Sequence, residues 1–105
     1  MVDSRAKFKM GQIVVHKLFE YTGVIFDIDP NYQGSEEWYK EVAMSLPPKD
    51  KPWYHVLVNG EEYTTYVSER NIEDNSDPSE IQHPLVNVLF DKFDGKQYHL
   101  KFKSN

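Results

Sequence analysis

Trp53-Tyr54-His55-Val56-Leu57-Val58-Asn59-Gly60-Glu61-Glu62-Tyr63-Thr64-Thr65-Tyr66-Val67-Ser68 is the stretch whose reading decides the fold. Both arms are rich in β-branched and aromatic residues, which pack well on a pleated surface. Asn59-Gly60 between them is a hairpin signal, because both residues tolerate the positive φ that tight hairpin turns require. The stretch therefore predicts a strand over 53–59, a turn, and a returning strand over 62–68.

Working outward, the same signals recur. Gln12–Lys17 is a β-branched run behind Gly11, and Tyr21–Asp29 alternates Val24, Phe26 and Ile28 with Ile25, Asp27 and Asp29. That period of two predicts a strand with one wet face, ended by Pro30. Gly23 in this run points to a bulge or a tight bend. Ser35 before Glu36 and Glu37 is placed to cap a short helix carrying Trp38, Val42 and Tyr39 on one side. Pro47, Pro48 and Pro52 then impose an extended linker. Ser68–Ile72 reads as one helical turn that carries Ile72 inward. Pro84, Leu85, Val88, Leu89 and Phe93 fit a second helix stopped by Gly95. Tyr98–Lys103 alternates again and predicts a final strand.

About five short strands with a turn between each define a mainly β fold, a small SH3-like β-barrel with one or two short helices. The alternation places Val14, Val24, Phe26, Val56, Val58 and Val67 in the core. At 105 residues the chain holds one domain, 1–105, with residues 1–7 disordered and 81–105 a helix-and-strand extension.

Composition removes whole classes of chemistry. With no cysteine there is no disulfide, thiolate metal site or cysteine nucleophile. No apolar run approaches the roughly 20 residues that cross a bilayer, and Met1–Arg5 lacks a signal peptide's apolar segment, so a cytoplasmic location is expected. The charge is uneven: net +3 over 1–17, −10 over 18–80 and +2 over 81–105, for −5 in all. An acidic body repels phosphate, so nucleic-acid contact is expected only from the basic termini.

Four blocks in order resemble one known family. They are Phe8-x-x-Gly11-Gln12-x-Val14-x-His16, then Tyr21-x-Gly23-Val24-Ile25-x-Asp27-x-Asp29-Pro30, then Pro52–Val58, then Tyr66-Val67-x-Glu69-x-Asn71-Ile72. His83-Pro84-Leu85-Val86 with Phe90-x-x-Phe93-x-Gly95-x-x-Tyr98 is similar to an extension that some members carry. The family is HspQ/YccV, the YccV-like or hemimethylated-DNA-binding family. The resemblance implies an SH3-like barrel that binds rather than catalyses. It implies a heat-shock or stress protein acting as adaptor or specificity factor for an ATP-dependent protease and its substrates. The alternative it implies is a protein that prefers hemimethylated DNA. A related module in F-box proteins and in a plastid protease adaptor weighs toward protein binding.

No catalytic residue, cofactor or metal is expected. Asp27 and Asp29 share a strand face, but two carboxylates are too few for calcium. His16, His55, His83 and His99 lack zinc-ligand spacing. In Trp53-Tyr54-His55 neighbouring side chains face opposite ways, so at least one ring should approach the surface. The alternatives are plain core or, with Trp38 and Tyr32, an aromatic platform for a partner peptide or an unstacked base. Candidate partner-binding residues are thus Trp38, Trp53, Tyr54 and Tyr32. Candidate DNA-binding residues are Lys7, Lys9, Lys101 and Lys103, although a solvated strand edge is the favoured reading of these lysines. An alternating strand near a chain end also suggests homo-oligomerisation.

Overall fold

The computed structural model describes residues 6–41 and 46–101. One antiparallel sheet organises them, built from β1 (Ile13–His16), β2 (Thr22–Asp29), β3 (Trp53–Val58), β4 (Thr64–Ser68) and β5 (Ile72–Asp74) in the order β4-β3-β2-β1-β5. The mainly β expectation holds. Among the described residues no closed barrel forms, because β4 and β5 are the two edges of an open sheet.

The deciding hairpin is present, with a longer turn than Asn59-Gly60 alone. Gly60 takes φ +83° and its N–H donates to Gln82 O, while Gln82 N–H donates to Asn59 Oδ1 at 2.7 Å. The turn is thereby docked onto the chain twenty residues on. The register sets His55 opposite Tyr66 and Trp53 opposite Ser68. Ser68 then caps a single 3-10 turn, Glu69–Asn71, with its hydroxyl accepting from Arg70 N–H, and Ile72 turns inward as expected.

β2 departs from the sequence reading twice. The bulge expected at Gly23 falls at Phe26, the extra residue between the Ile25–Val56 and Asp27–His55 pairs. Gly23 serves a close approach instead, since a Cβ there would lie 2.4 Å from Val56 Cγ1 and 2.5 Å from the Leu57 carbonyl oxygen. Nor is either face of the inner half of β2 wet, since Val24 and Ile25 are both fully buried. Side chains that alternate along the strands reach two separate cores. Val14, Ile25, Tyr54, Val56, Val67 and Ile72 form one, with Phe8 and Met10 packed against it. All five strands supply it, so the sheet curls around this side. Ile13, Val24 and Leu57 form the other with Ile81, Val86, Phe90 and Tyr98. Of the six core residues expected, Phe26 alone is only half-buried, because the bulge moves it off the regular pleat.

The C-terminal segment is therefore the cover of the sheet's second face. Its helix is shorter than the 84–93 spacing predicts. α1 spans Glu36–Glu41 and α2 only Val86–Leu89. Phe90 leaves α2 in an extended conformation and buries its ring against Tyr98, 5.5 Å between centroids. The expected strand over 98–103 is also absent from the described residues. Segments 89–91 and 99–101 meet through the single Phe90–Leu100 bridge, and Gln97 bridges Gln12. Tyr98 donates its N–H to Gly11 O and accepts from Ile81 N–H at its hydroxyl, so its main chain and side chain are both held inward. Self-association through a regular final strand thus has no such strand to rest on there. Phe102, Lys103 and Val42 lie outside the described residues. Ser35 caps α1 as expected, its hydroxyl accepting from Trp38 N–H at 3.0 Å. No helix among the described residues is long and apolar enough to cross a membrane.

Candidate binding surfaces

Three arrangements of side chains stand out, and the first surrounds the β3–β4 pair. Strand alternation places Trp53 and His55 on one face, and the register adds Tyr66 from β4. Tyr66 lies 4.5 Å from His55 and 5.2 Å from Trp53 between ring centroids. Tyr32 packs on Trp53 at 4.9 Å, and Trp38 of α1 stacks near Tyr32 at 6.1 Å, with 22° between the planes. The expected proximity of Trp38, Tyr32 and Trp53 is therefore real. Exposure divides the set differently, however. Trp53 is 1% exposed and Tyr54 is fully buried on the opposite face, so neither offers a surface ring. Trp53 is pinned by its indole N–H, which donates to Pro48 O at 3.0 Å. The half-buried rings are Trp38, Tyr32 and Tyr66.

Beside these rings, along the outer edge of β4, lies a recess of about 370 Å³. Its far wall is the β1–β2 turn, where Leu18 and Phe19 are 51% and 59% exposed. His16 builds that turn. Its Nδ1 accepts from the N–H groups of Leu18 and Phe19, both at 3.1 Å, and its ring stacks on Phe19. Burial holds the His16 pKa below the usual histidine value, which suits a neutral imidazole with an acceptor nitrogen. Tyr21 spans from this wall to β4, with 2.6 Å between its hydroxyl and that of Thr65.

The second arrangement joins Asp27, Asp29 and His55, whose ligand atoms all lie within 4.8 Å of one another. The fold thus adds an imidazole to the D-x-D pair. These groups are already engaged. Asp29 Oδ2 accepts from Tyr66 O–H at 2.7 Å and lies 3.1 Å from His55 Nε2, and Asp27 Oδ1 accepts from Ile28 N–H. Burial and the Asp29 hydrogen bond push the Tyr66 pKa far up, so its phenol stays protonated and donating. The set orients the Tyr66 ring, and its three donors fall short of the six to eight oxygens that calcium takes.

The third arrangement is a recess of about 580 Å³ beside Tyr54, lined by Lys7, Lys17, Lys51 and Arg70, and also by Glu69, Glu73 and Asp74. Tyr54 donates to Glu69 Oε2 at 2.5 Å, and that same oxygen accepts from Lys7 N–H. Burial and this carboxylate push the Tyr54 pKa up. Of the four lysines singled out in the sequence, Lys7 lines this recess. The backbone of Lys9 is held nearby by Gln12 Oε1. Lys101 sits at α2, its ammonium donating to Asn87 O. Lys103 lies outside the described residues. Lys17, Lys51 and Arg70 were not legible as partners of Lys7, since each sits in a different segment.

The YccV-like family model, described as "Hemimethylated DNA-binding protein YccV like", matches residues 6–97. The chain is 36% identical over 93 residues to F-box only protein 21 of Homo sapiens and to that of Pongo abelii, and 34% identical to that of Mus musculus. Each match covers 87% of this chain and 15% of the relative, so the chain spans a small part of those proteins. The matched residues take in every strand and both cores, and on that ground the chain belongs to the YccV-like family.

Proposed function

We propose that this chain is a non-enzymatic binding domain that contacts DNA, hemimethylated DNA above all. The observation that carries the reading is the gathering of Lys7, Lys17, Lys51 and Arg70 around one recess, in a family described as hemimethylated-DNA-binding. Cations gathered around one recess suit contacts to phosphates, which position a protein on a duplex. Three acids in the same recess keep its net charge low, which favours salt-sensitive contact over tight general binding. The strand order, with a 3-10 turn between β4 and β5, supports an SH3-like barrel left open at one seam.

The test is fluorescence anisotropy with one duplex sequence methylated on neither, one or both strands, at several salt concentrations. Three to four phosphate contacts give a log–log salt slope of about −3. Changing Lys7, Lys17 and Lys51 to Gln is expected to abolish binding with the fold intact, since all three are exposed. A triple variant with wild-type affinity and slope refutes this placement of the DNA surface.

A second reading, an adaptor or specificity factor for an ATP-dependent protease in the heat-shock response, is favoured by the other recess. Among the described residues no Lys, Arg, Asp or Glu lines it, so it suits an apolar side chain rather than phosphate. Stimulation of substrate degradation by a purified protease is its test. A cytoplasmic location is proposed alongside either reading.

A further inference from the structure

Among the described residues the outer edge of β4 is open, and its polarity follows from the register. Asn59 N–H donates to Thr22 O, and Val58 N–H donates to Tyr63 O. With the pairs Gly23–Val58 and Leu57–Thr64, alternation turns the main-chain groups of Val56 toward Thr65 and those of Tyr54 toward Val67. Thr65 and Val67 are therefore satisfied by β3. Thr64 and Tyr66 direct their N–H and C=O groups away from the sheet, and no main-chain or side-chain partner meets them among the described residues. The 370 Å³ recess lies along this edge, with Thr64, Thr65 and Tyr66 in its wall.

We propose that β4 accepts an extended peptide as a sixth strand, with a large apolar side chain seated between Phe19, Trp38 and Tyr66 and basic residues flanking it. The main chain of β4 presents donors and acceptors in alternation, about 7 Å from Thr64 to Tyr66. Another peptide backbone matches both; a phosphate backbone offers acceptors only and would leave the carbonyls unmet. The uncharged lining selects an apolar anchor. Around it Glu20 and Glu37 adjoin lining residues in the chain and Asp29 is bonded to two of them, whereas Lys17, Glu69 and Arg70 line the other recess. That acidic surround selects basic flanks. The inference does not rest on the DNA reading, and it gives the protein-binding reading a partner class without requiring a protease.

The probe is a synthetic peptide of alternating Thr and Val with a central Phe and a Lys at each end. Amide exchange of the intact protein is followed by NMR. Saturating peptide is expected to slow exchange at Thr64 and Tyr66 by about tenfold or more and to leave Thr65 and Val67 unchanged. N-methylating the peptide amides that face β4, or replacing its Phe by Asp, is expected to weaken binding by about tenfold or more. Thr64→Pro, tolerated where the N–H faces outward, blocks pairing. Protection mapped to Lys7 and Arg70, equal binding of the N-methylated peptide, or no protection overturns the proposal. So does protection at Thr64 and Tyr66 that rises with protein concentration alone, since the occupant is then a second copy of this chain. Peptide capture without protease stimulation sinks the adaptor role and leaves this inference standing.

Discussion

Replacing Trp53 by Ala is expected to cost about 4 kcal/mol of folding stability. The indole is 1% exposed and lies among Tyr32, Trp38, Tyr39 and Tyr66, with centroids 4.9–6.4 Å away. Burying roughly 200 Å² of aromatic surface at about 25 cal/mol per Å² gives about 5 kcal/mol. The alanine methyl returns part of that. Losing the indole donor to Pro48 O adds about 1 kcal/mol. The sum agrees with the usual 3–5 kcal/mol for Trp-to-Ala truncation. Against a total of about 5–15 kcal/mol, the variant is close to unfolding. Urea denaturation followed by circular dichroism measures the loss as a midpoint shift at constant m. Trp53→Phe keeps most of the ring contact and is expected to lose about half as much. Tryptophan emission then comes from Trp38 alone and should shift to the red, because that ring is half-buried. A loss under about 1 kcal/mol for Trp53→Ala, at unchanged m, refutes the packing described. Binding defects of this variant accordingly report the fold, and Trp38 or Tyr66 is the residue to change when the surface is the question.

Gly11→Ala should cost about 2 kcal/mol or more, because Gly11 has φ +90° and a Cβ there would lie 2.0 Å from Tyr98 O; an unshifted melting temperature refutes the close approach of the C-terminal segment. His16 titrates below its ordinary 6.5 in the fold, so the unfolded chain takes up the proton first as pH falls. Stability should decline as pH drops from 6.5 toward the folded value, and urea midpoints at pH 7.5 and 5.5 should differ less in His16→Gln. Asp94 is held down to about 2 by the N–H of Gln97, by His99 and by the N–H of Lys96. Its small contribution should be intact above pH 3.8 and vanish as pH falls toward 2; an NMR carboxyl midpoint near 3.8 contradicts these contacts.

Several features were legible because they are written locally. The hairpin announced itself through Asn59-Gly60 between two β-branched arms, α1 through Ser35, and the helical turn after Ser68 through the inward placing of Ile72. The family, too, was readable from four ordered blocks, which the match over 6–97 bears out. What escaped depends on contacts between distant segments. A two-residue turn would set His55 against Thr64; docking of the turn on Gln82 lengthens it and brings Tyr66 to His55 instead. Alternation along β2 suggested one wet face, but the curled sheet buries Ile25 on one side and the folding back of Ile81, Phe90 and Tyr98 covers Val24 on the other. The same folding back, through Tyr98 on Gly11, leaves the C-terminal run with isolated bridges and no strand. Lys7, Lys17, Lys51 and Arg70 come from four segments and meet only when the 3-10 turn and the proline linker pack beside β1 and the N-terminal segment. Sequence fixes what a few neighbouring residues prefer, since backbone sterics and side-chain alternation act within a turn or a strand. Register, face and the company a charge keeps are set by the burial of surfaces that lie tens of residues apart, and those are settled only by the tertiary packing.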